Sequence, residues 1–402
     1  MSRNIYTFMK TTQIHLASSI DCTACAACEN VCVHNAITMS QGHLGHLFPV
    51  VDYNKCVQCG ICTKVCPIIN PVELGEIRKA YAAWAVDSEE YKTSVSGGIA
   101  SVISRYVIRN NGVVYGCAVF SGAVVKHIRV DNEPDLLKLK GSKYVQSDIR
   151  DAISQIKVDV KKQKLVLFIG TPCQVAAIKQ MFKVQPSNLW LIDLICHGVP
   201  SVAMLKKYIN RIGCGIEKCD NIIFRENSCY SLKLMSRDNK ILYRKELTSQ
   251  VLGGDLYLSL FHKGFINRES CYSCIYANSN RVGDITIGDF WGLGRLASVD
   301  KMESHPEGCS VVLPITDLGE KIVELIKNEV KCYERPINEA VQGNTQLKHP
   351  VCKTLKIRLY RQAQGIIDFI FLYKILSIDV FIIYWIKKII GKTKKTLSIC
   401  KK

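Results

Sequence analysis

Eight of the twenty cysteines lie near the start of the chain and follow one spacing twice. The pattern is C-x2-C-x2-C-x3-C, and its two copies, 34 residues apart, are Cys22, Cys25, Cys28 and Cys32, then Cys56, Cys59, Cys62 and Cys66. Three closely spaced thiolates on one loop can bind three irons of a 4Fe-4S cubane, and the fourth ligand then comes from the other copy. The spacing therefore predicts two 4Fe-4S clusters, one bound by Cys22, Cys25, Cys28 and Cys66 and the other by Cys56, Cys59, Cys62 and Cys32.

The residues between these cysteines are mostly small or apolar, such as Ala24, Ala26 and Ile61. Such residues let backbone amides approach the sulfurs and keep water away, and both effects tune a reduction potential. Over about fifty residues the stretch resembles bacterial two-cluster ferredoxins, although Val33 rather than a proline follows Cys32. The alternative is a pair of structural zinc sites, but zinc sites favour paired C-x2-C units.

Four further cysteines point to a third cluster. Cys173 and Cys196 each follow a predicted buried strand, and Cys271 and Cys274 form a C-x2-C pair. In open α/β sheets the carboxyl ends of the strands border the ligand crevice. These four cysteines are therefore expected to bind a third 4Fe-4S cluster beside such a crevice. The alternatives are core cysteines for the first two and half of a zinc site for the pair. The remaining eight cysteines have no informative spacing and are expected to be small buried hydrophobes.

The middle of the chain alternates predicted helices and strands. The predicted helices cover 96–110 and 147–161 and begin again at about 174 and 201, and the predicted strands cover 112–120, 123–130, 164–169 and 189–195. Short apolar strands separated by helices indicate parallel pairing and an α/β domain.

Several short motifs follow one another in this region: Ser96-Gly97-Gly98, Gly141-Ser142-Lys143-Tyr144-Val145-Gln146, Gly170-Thr171-Pro172-Cys173-Gln174, the Cys271–Cys274 pair, Gly288-Asp289-Phe290-Trp291-Gly292 and Gly308-Cys309-Ser310. With these motifs, the segment of about 80–320 resembles the family of β subunits from coenzyme F420-reducing hydrogenases and dehydrogenases. The resemblance implies an FAD-binding domain that exchanges a hydride with a deazaflavin or another organic substrate. It also implies a neighbouring 4Fe-4S cluster.

The same resemblance implies flavin-binding roles for several motif residues. Ser96, Gly97 and Gly98 would bring a helix N-terminus to a phosphate or to the flavin edge. Lys143 would offset negative charge on a reduced flavin, and Thr171 would hydrogen-bond the flavin or its pyrophosphate. The alternatives are an ordinary helix start for the first three residues and a solvated side chain for the lysine.

Three more residues belong to this expected site. Asp289 and Trp291 would shape it near the cluster, with a turn residue and a core tryptophan as the alternatives. His197, next to Cys196, is either a proton donor or a packed histidine. Lys143 and His197 are thus the candidate catalytic residues.

Composition and charge limit the class of protein. The chain has 402 residues, 48% of them hydrophobic and 22% charged, which favours folded domains over disorder. Many cysteines without a signal-peptide-like start predict a reducing, cytoplasmic location. The formal net charge of +18 favours an acidic partner or an anionic membrane surface. Nucleic acid is not an expected partner, because no basic patch interleaved with aromatics and no zinc finger is recognisable.

The stretch 365–390 is strongly apolar, but Asp368, Lys374 and Asp379 interrupt it and lysines follow it. A membrane span needs about 20 largely uninterrupted apolar residues. Aromatic residues beside lysines instead suit docking at the inner face of the cell membrane. The alternatives are a helix packed against protein and a true span.

The expected fold is therefore an α/β (or α+β) flavin-binding domain with an N-terminal bacterial-type ferredoxin module that holds two 4Fe-4S clusters. The expected division is a ferredoxin module at 1–75, an FAD domain at 76–345 and an apolar, basic tail at 346–402. A flavin exchanges electron pairs and a cluster carries one electron at a time, so the combination predicts an oxidoreductase that links an organic hydride substrate to a redox partner protein. The alternative is a non-catalytic electron-transfer subunit, or a partner protein of glycan biosynthesis at the membrane.

Overall fold

The computed structural model of the chain describes residues 14–378, except 183, 227–228, 249–253, 306–307 and 365–366. Its main feature is an eight-stranded mixed sheet with helices packed on both faces. A two-stranded sheet lies in the N-terminal module, and a three-stranded antiparallel sheet follows later in the chain.

The strands are β1 (Ile37–Gln41), β2 (Leu47–Val51), β3 (Ala80–Ala85), β4 (Val113–Phe120), β5 (Val124–Val130), β6 (Val166–Gly170), β7 (Leu189–Leu194), β8 (Asn221–Glu226), β9 (Cys229–Met235), β10 (Ile241–Glu246), β11 (Ile285–Asp289), β12 (Ser310–Pro314) and β13 (Val330–Arg335). The α-helices are α1 (Ala27–Asn30), α2 (Ile61–Lys64), α3 (Ser88–Lys92), α4 (Ile99–Arg109), α5 (Arg150–Lys161), α6 (Pro172–Gln180), α7 (Val202–Arg211), α8 (Leu256–His262), α9 (Asp317–Leu325), α10 (Ile337–Gly343), α11 (Leu355–Ala363) and α12 (Phe369–Leu376). Short 3₁₀-helices lie at His43–Gly45, Pro134–Leu139, Ile216–Lys218, Glu269–Ser273 and Thr345–Leu347.

The large sheet has the strand order β13-β3-β12-β11-β7-β6-β4-β5. Its four central strands, β11, β7, β6 and β4, run parallel to one another. Each flanking strand is antiparallel to its neighbour. The predicted α/β alternation is therefore confirmed at the centre of the sheet, where helices connect parallel strands. The predicted helices and strands occur, with ends shifted by a few residues.

Successive residues of the central strands face opposite sides of the sheet. In β6, Val166 and Phe168 pack with helices α5 and α6, whereas Leu167 packs on the other face with helix α4. Both faces of these strands are covered, so apolar residues are needed at every position and the strands read as continuous apolar runs.

The N-terminal module packs directly against the large sheet's helices. Strands β1 and β2 pair antiparallel, with Ile37 opposite Val51. Ala27 of α1 is fully buried in the core that contains α5, and Ser154 Oγ of α5 donates a 2.9 Å hydrogen bond to Asn30 Oδ1. This contact fixes the module's cysteine loops relative to the sheet.

The described part of the predicted tail packs against protein. Phe369, Leu372 and Tyr373 of α12 are buried in a second core with α7, α8, α11 and the three-stranded sheet. The Asp368 side chain caps α12 by accepting from two backbone amides. No helix among the described residues is long and apolar enough to cross a membrane. The rest of the predicted tail, 379–402, lies outside the described residues.

Candidate functional site

The structure gathers the eight N-terminal cysteines into the two groups that the spacing predicts. The first ferredoxin group lines one small cavity and consists of Cys22, Cys25, Cys28 and Cys66. The second ferredoxin group lines another and consists of Cys32, Cys56, Cys59 and Cys62. In each group three cysteines come from one copy of the motif and the fourth from the other, as a cubane site requires.

The two cysteine loops share an unusual backbone conformation. Ala24 and Ala26 in the first loop have φ of 54° and 57°, and Gln58 and Gly60, their counterparts in the second loop, have φ of 56° and 72°. The left-handed region is unfavourable for side chains other than glycine, so such residues tend to occur where function requires them. In the first loop this conformation directs the Ala24 amide to Cys22 Sγ at 3.4 Å. The loops thus fit a metal cluster that accepts hydrogen bonds at sulfur.

The four remaining candidate cysteines, here called the crevice group, line one cavity of about 180 Å³: Cys173, Cys196, Cys271 and Cys274. Cys173 lies in the first turn of α6, directly after β6, and Cys196 follows β7. Since β6 and β7 are parallel neighbours, both cysteines come to the same edge of the sheet. The 3₁₀-helix Glu269–Ser273 supplies Cys271, and Cys274 ends it.

Burial has the largest effect on the pKa of these thiols. It raises the pKa of Cys173 to about 11 and that of Cys271 to about 12. Polar groups oppose this effect, since Thr171 Oγ1 lies 3.3 Å from Cys173 Sγ and the Gly198 amide donates to Cys196 Sγ at 3.4 Å. Buried thiols with nearby donors suit a cluster that binds thiolates and accepts hydrogen bonds.

The crevice group lies beside the first ferredoxin group. Burial raises the pKa of Cys25 to about 12, and Cys22, Cys66 and Cys173 add to the rise through their negative charge. Tyr276 is buried in the wall of the crevice cavity. Burial raises the pKa of its hydroxyl, and the negative charges of cysteines in both groups add to the rise. The structure therefore places the two groups within electrostatic range of each other.

None of the described cysteines forms a disulfide. In the part of the chain that the structure describes, there is also no group of three or more histidine, cysteine, aspartate or glutamate side chains placed to bind a single metal ion.

The structure brings Ser96, Gly97 and Asp289 together at one edge of the sheet. Ser310 links them, because its Oγ donates to Ser96 Oγ at 3.2 Å and accepts from the Gly97 amide at 3.0 Å. Ser310 is also the residue opposite Asp289 in the β11–β12 pairing. Gly98, with φ of 78°, precedes α4, so the predicted helix begins one residue after the glycine pair.

Lys143 and Thr171 have contacts within the chain. Lys143 Nζ donates to the carbonyls of Leu139 and Lys140 at 2.9 and 2.7 Å, and burial lowers its pKa to about 8. Thr171 caps α6 in a reciprocal arrangement with Gln174. Lys143 is thus a half-buried loop residue whose ammonium is hydrogen-bonded within the chain.

Asp289 and His197 take part in a partly buried polar and aromatic cluster. Asp289 accepts a 2.6 Å hydrogen bond from Arg225. His197 is held at both ring nitrogens, by the carbonyl of His262 and by Gln346. Burial lowers the pKa of His197, so a neutral, packed imidazole is favoured. Trp291 is 47% exposed, so the alternative of a core tryptophan is wrong.

Sequence reasoning missed Arg225, Tyr230 and His262, which complete this cluster. The Tyr230 and His262 rings are 4.4 Å apart, and the Arg225 guanidinium lies over Tyr230. Arg225 Nε and His262 Nε2 are buried without a hydrogen-bond partner in the described structure. These orphan polar atoms fit a bound organic molecule that supplies the missing partners. No local spacing marks the three residues, because they come from different elements.

The expectation for the eight other cysteines holds only in part. Cys219 and Cys309 are buried, as expected for small hydrophobes, but Cys229 and Cys352 are exposed. Cys400 lies outside the described residues. A cysteine without a spacing pattern therefore need not be a core residue.

Comparison with known families identifies the two cysteine-rich parts. Residues 21–68 match the 4Fe-4S dicluster domain, and residues 163–340 match the family described as the C terminus of the coenzyme F420 hydrogenase/dehydrogenase beta subunit. Residues 163–340 are therefore similar to the C-terminal part of these beta subunits. The resemblance seen in the motifs is confirmed, and residues 21–68 are a 4Fe-4S domain.

Three known proteins align with most of the length of this chain. The F subunit of F(420)H(2) dehydrogenase from Methanosarcina mazei is 22% identical, with 83% of this chain and 92% of that protein aligned. Coenzyme F420-dependent sulfite reductase of Methanocaldococcus jannaschii is also 22% identical, with 81% of this chain aligned, and the chain spans about half (48%) of that protein. A chain of the F420-reducing [NiFe] hydrogenase complex from Methanosarcina barkeri overlaps 76% of this chain and 93% of its own length, with a TM-score of 0.44 and 17% identity. The family and dicluster matches thus make the chain an iron–sulfur protein related to F420 hydrogenase and dehydrogenase subunits.

Proposed function

We propose that the chain is an iron–sulfur flavoprotein oxidoreductase that passes electrons between an organic hydride donor or acceptor and a redox partner protein. One observation supports this most strongly: the cavity of the crevice group is also lined by Thr23, from the first cysteine loop, and by His197, whose ring contacts that of His262. That position joins a candidate organic site to a one-electron module. When bound, a flavin exchanges hydride as an electron pair, and 4Fe-4S clusters take electrons singly.

The order of the cysteine groups suggests a route from the crevice to the surface. The crevice group neighbours the first ferredoxin group, which shares its cysteine loops with the second. Cys59 of the second group is exposed, and Val33 beside it in the cavity wall is 81% exposed. An apolar surface beside the outermost group suits contact with a redox partner, so we assign the partner to this end.

The flavin would occupy the sheet edge between Ser96 and Arg225. Ser96 and Gly98 directly precede α4, whose N-terminal amides suit a phosphate. Arg225 would offer its orphan Nε, and Tyr144 and Tyr230 would provide flat apolar surfaces for a ring system. Lys143 would keep its loop in place and add positive charge nearby.

The organic substrate we propose is a deazaflavin. The basis is the family match together with the names of two relatives, a dehydrogenase of F420H2 and a sulfite reductase that depends on coenzyme F420. Another reducible compound would use the same route from the crevice.

A specific observation favours a second candidate, a non-catalytic electron-transfer subunit. Ser96, Lys143 and Asp289 already have hydrogen-bond partners within the chain. A flavin would have to share or replace these contacts. The chain would then relay electrons for a catalytic partner protein.

We place the protein in the cytoplasm, with α12 available for contact with the inner face of the membrane. Phe371, Ile375 and Ile378 are exposed on this helix and its end, at the spacing of one helical face. Such a face beside a basic chain end suits a peripheral contact with anionic lipid.

The direct test is anaerobic purification followed by measurement of iron, sulfide and released flavin per chain. About twelve irons and sulfides with one FAD are expected, because three cubanes contain four irons each. About eight irons would remove the crevice cluster, clusters without flavin would favour the non-catalytic carrier, and zinc in place of iron would overturn the proposal.

Matched variants assign the crevice irons. Cys196→Ser should lower the content to about eight irons, whereas Cys309→Ser, a buried cysteine outside the groups, should retain about twelve. Turnover of F420 by the isolated chain would separate the enzyme from the carrier.

A further inference from the structure

Arg268 lies between the crevice group and the first ferredoxin group. Its side chain is 1% exposed and forms part of the crevice cavity wall. Its Nε donates a 2.6 Å hydrogen bond to the Cys22 carbonyl, and a terminal nitrogen donates to the Leu47 carbonyl at 2.7 Å. The guanidinium also lies over the Phe48 ring, 4.4 Å from its centroid. These contacts fix both the position and the orientation of the charge.

Arg268 differs from the other buried arginines in lacking an acidic partner. The others each have a carboxylate at hydrogen-bond distance, in the pairs Arg225–Asp289, Arg281–Asp193, Arg335–Glu339 and Arg361–Glu269. For Arg268 no carboxylate within 4.0 Å is found in the described part of the chain. An unpaired buried charge is strongly unfavourable, so another negative group must balance it.

The cysteine groups are the negative partners. Arg268 Nε donates to the carbonyl of Cys22, a residue of the first ferredoxin group. Arg268 also lines the crevice cavity together with Cys173 and Cys271. Arg268 therefore faces two sites that become negative when thiolates bind iron.

We propose that Arg268 is a positioning residue that raises the reduction potentials of the first ferredoxin cluster and the crevice cluster together. This rests on the proposed function, since it requires clusters in both groups. Each reduction adds one electron and one negative charge to a cluster, and a fixed positive charge stabilises the reduced form. The guanidinium stays protonated throughout, so no proton moves.

The effect of Arg268 differs among the three clusters. The second ferredoxin group has no described contact with Arg268, so this charge affects its potential least. Relative to the outer site, the charge therefore favours electrons on the two inner sites. The outer cluster is the internal reference for the test.

The experiment is a redox titration with dithionite, followed by electron paramagnetic resonance, of wild type and Arg268→Gln. At a fixed potential, the reduced-to-oxidised ratio of the two inner clusters should fall about tenfold in the variant, which is 59 mV for a one-electron couple. The outer cluster should keep its ratio. Arg268→Lys, which retains the charge, should shift the inner clusters less than Arg268→Gln.

A second variant keeps Arg268 but places a negative charge beside its guanidinium. Gln146 Oε1 lies 3.4 Å from the Arg268 guanidinium, so Gln146→Glu would supply the missing carboxylate and should also lower the inner ratios. Arg361→Gln is the matched control, because Glu269 already opposes that charge. If Arg268→Gln does not load iron, Gln146→Glu decides the outcome.

Unchanged inner ratios in the variants, or equal shifts at all three clusters, would overturn the inference about Arg268. Fewer than about twelve irons in the wild type would instead count against the proposed function and would overturn the crevice half of the inference. The effect of Arg268 on the first ferredoxin cluster would still be tested, by comparing its shift with that of the outer cluster.

Discussion

A Cβ atom placed on Gly97 would lie 2.1 Å from the backbone carbonyl oxygen of Ala83. The Gly97 carbonyl also accepts from the Ala85 amide at 2.7 Å, so the chain before α4 is held against β3. The glycine is therefore required by close backbone packing, independently of any flavin contact.

Gly97→Ala should lower the free energy of unfolding by about 3 kcal/mol, because the added carbon overpacks a rigid backbone contact. Urea unfolding of the holoprotein followed by fluorescence measures the change. Ser96→Ala, which adds no atoms at the neighbouring position, is the control and should cost less. If Gly97→Ala lost its flavin but kept the wild-type free energy of unfolding, Gly97 would be needed for flavin binding and not for backbone packing.

Cysteine pairs should reveal that ligands cross between the two motif copies. Cys28→Ser combined with Cys32→Ser should remove about eight irons although the two residues are four positions apart, because they belong to different groups. Cys28→Ser combined with Cys66→Ser should remove only about four, since both line the same cavity. Iron analysis and counting of paramagnetic signals distinguish the two. Equal losses in both double variants would contradict the assignment.

Lys143→Met should slow flavin reduction by at least about tenfold while the iron content stays unchanged. The reason is that the Lys143 ammonium supplies positive charge that would stabilise a reduced, anionic flavin. Its hydrogen bonds to the carbonyls of Leu139 and Lys140 hold it in position. Stopped-flow absorbance measures the rate. Lys138→Met, an exposed lysine on the same segment, should react like wild type. Normal flavin reduction in Lys143→Met would remove the lysine from the proposed site.

His127 should make the fold sensitive to mild acid. Burial lowers the pKa of His127 to about 4, from an ordinary 6.5, while Ser147 and the Ile169 carbonyl occupy its ring nitrogens. Below pH 6.5 the unfolded chain therefore binds a proton that the folded chain does not, so stability falls as the pH falls from 6.5 towards 4.

From about pH 7.5 to about pH 5 this single group should cost about 2 kcal/mol. Urea unfolding at both pH values measures the loss, which should be smaller by that amount in His127→Gln. The exposed His349→Gln variant should keep the wild-type pH dependence. The same slope in His127→Gln as in wild type would contradict the prediction.

Two phenylalanines of α12 should separate packing from surface contact. Phe369 is buried in the second core, so Phe369→Ala should cost about 3–5 kcal/mol of unfolding free energy. Phe371 is 58% exposed, so Phe371→Ala should leave stability nearly unchanged. It should instead lower sedimentation of the full chain with anionic vesicles roughly tenfold. Equal vesicle binding by wild type and Phe371→Ala would count against a membrane role for this helix.

The sequence by itself determined the features that depend on local spacing. Three cysteines on one loop must lie close together, so the repeated motif was enough to indicate both ferredoxin groups and the exchange of Cys32 and Cys66 between them. Apolar runs bounded by helices were enough to indicate the parallel centre of the sheet, because both faces of those strands are covered. The order of short motifs indicated the resemblance to the beta-subunit family, which residues 163–340 match.

Tertiary structure decided everything that joins distant parts of the chain. The antiparallel strands β12 and β13 and the cluster of Arg225 with His262 depend on which elements become neighbours. Arg268 looks like any surface arginine in the sequence, and only burial between two cysteine groups without a carboxylate partner in the described structure gives it a distinctive charge. Desolvation and electrostatic pairing act through space, so residue spacing along the chain cannot encode them.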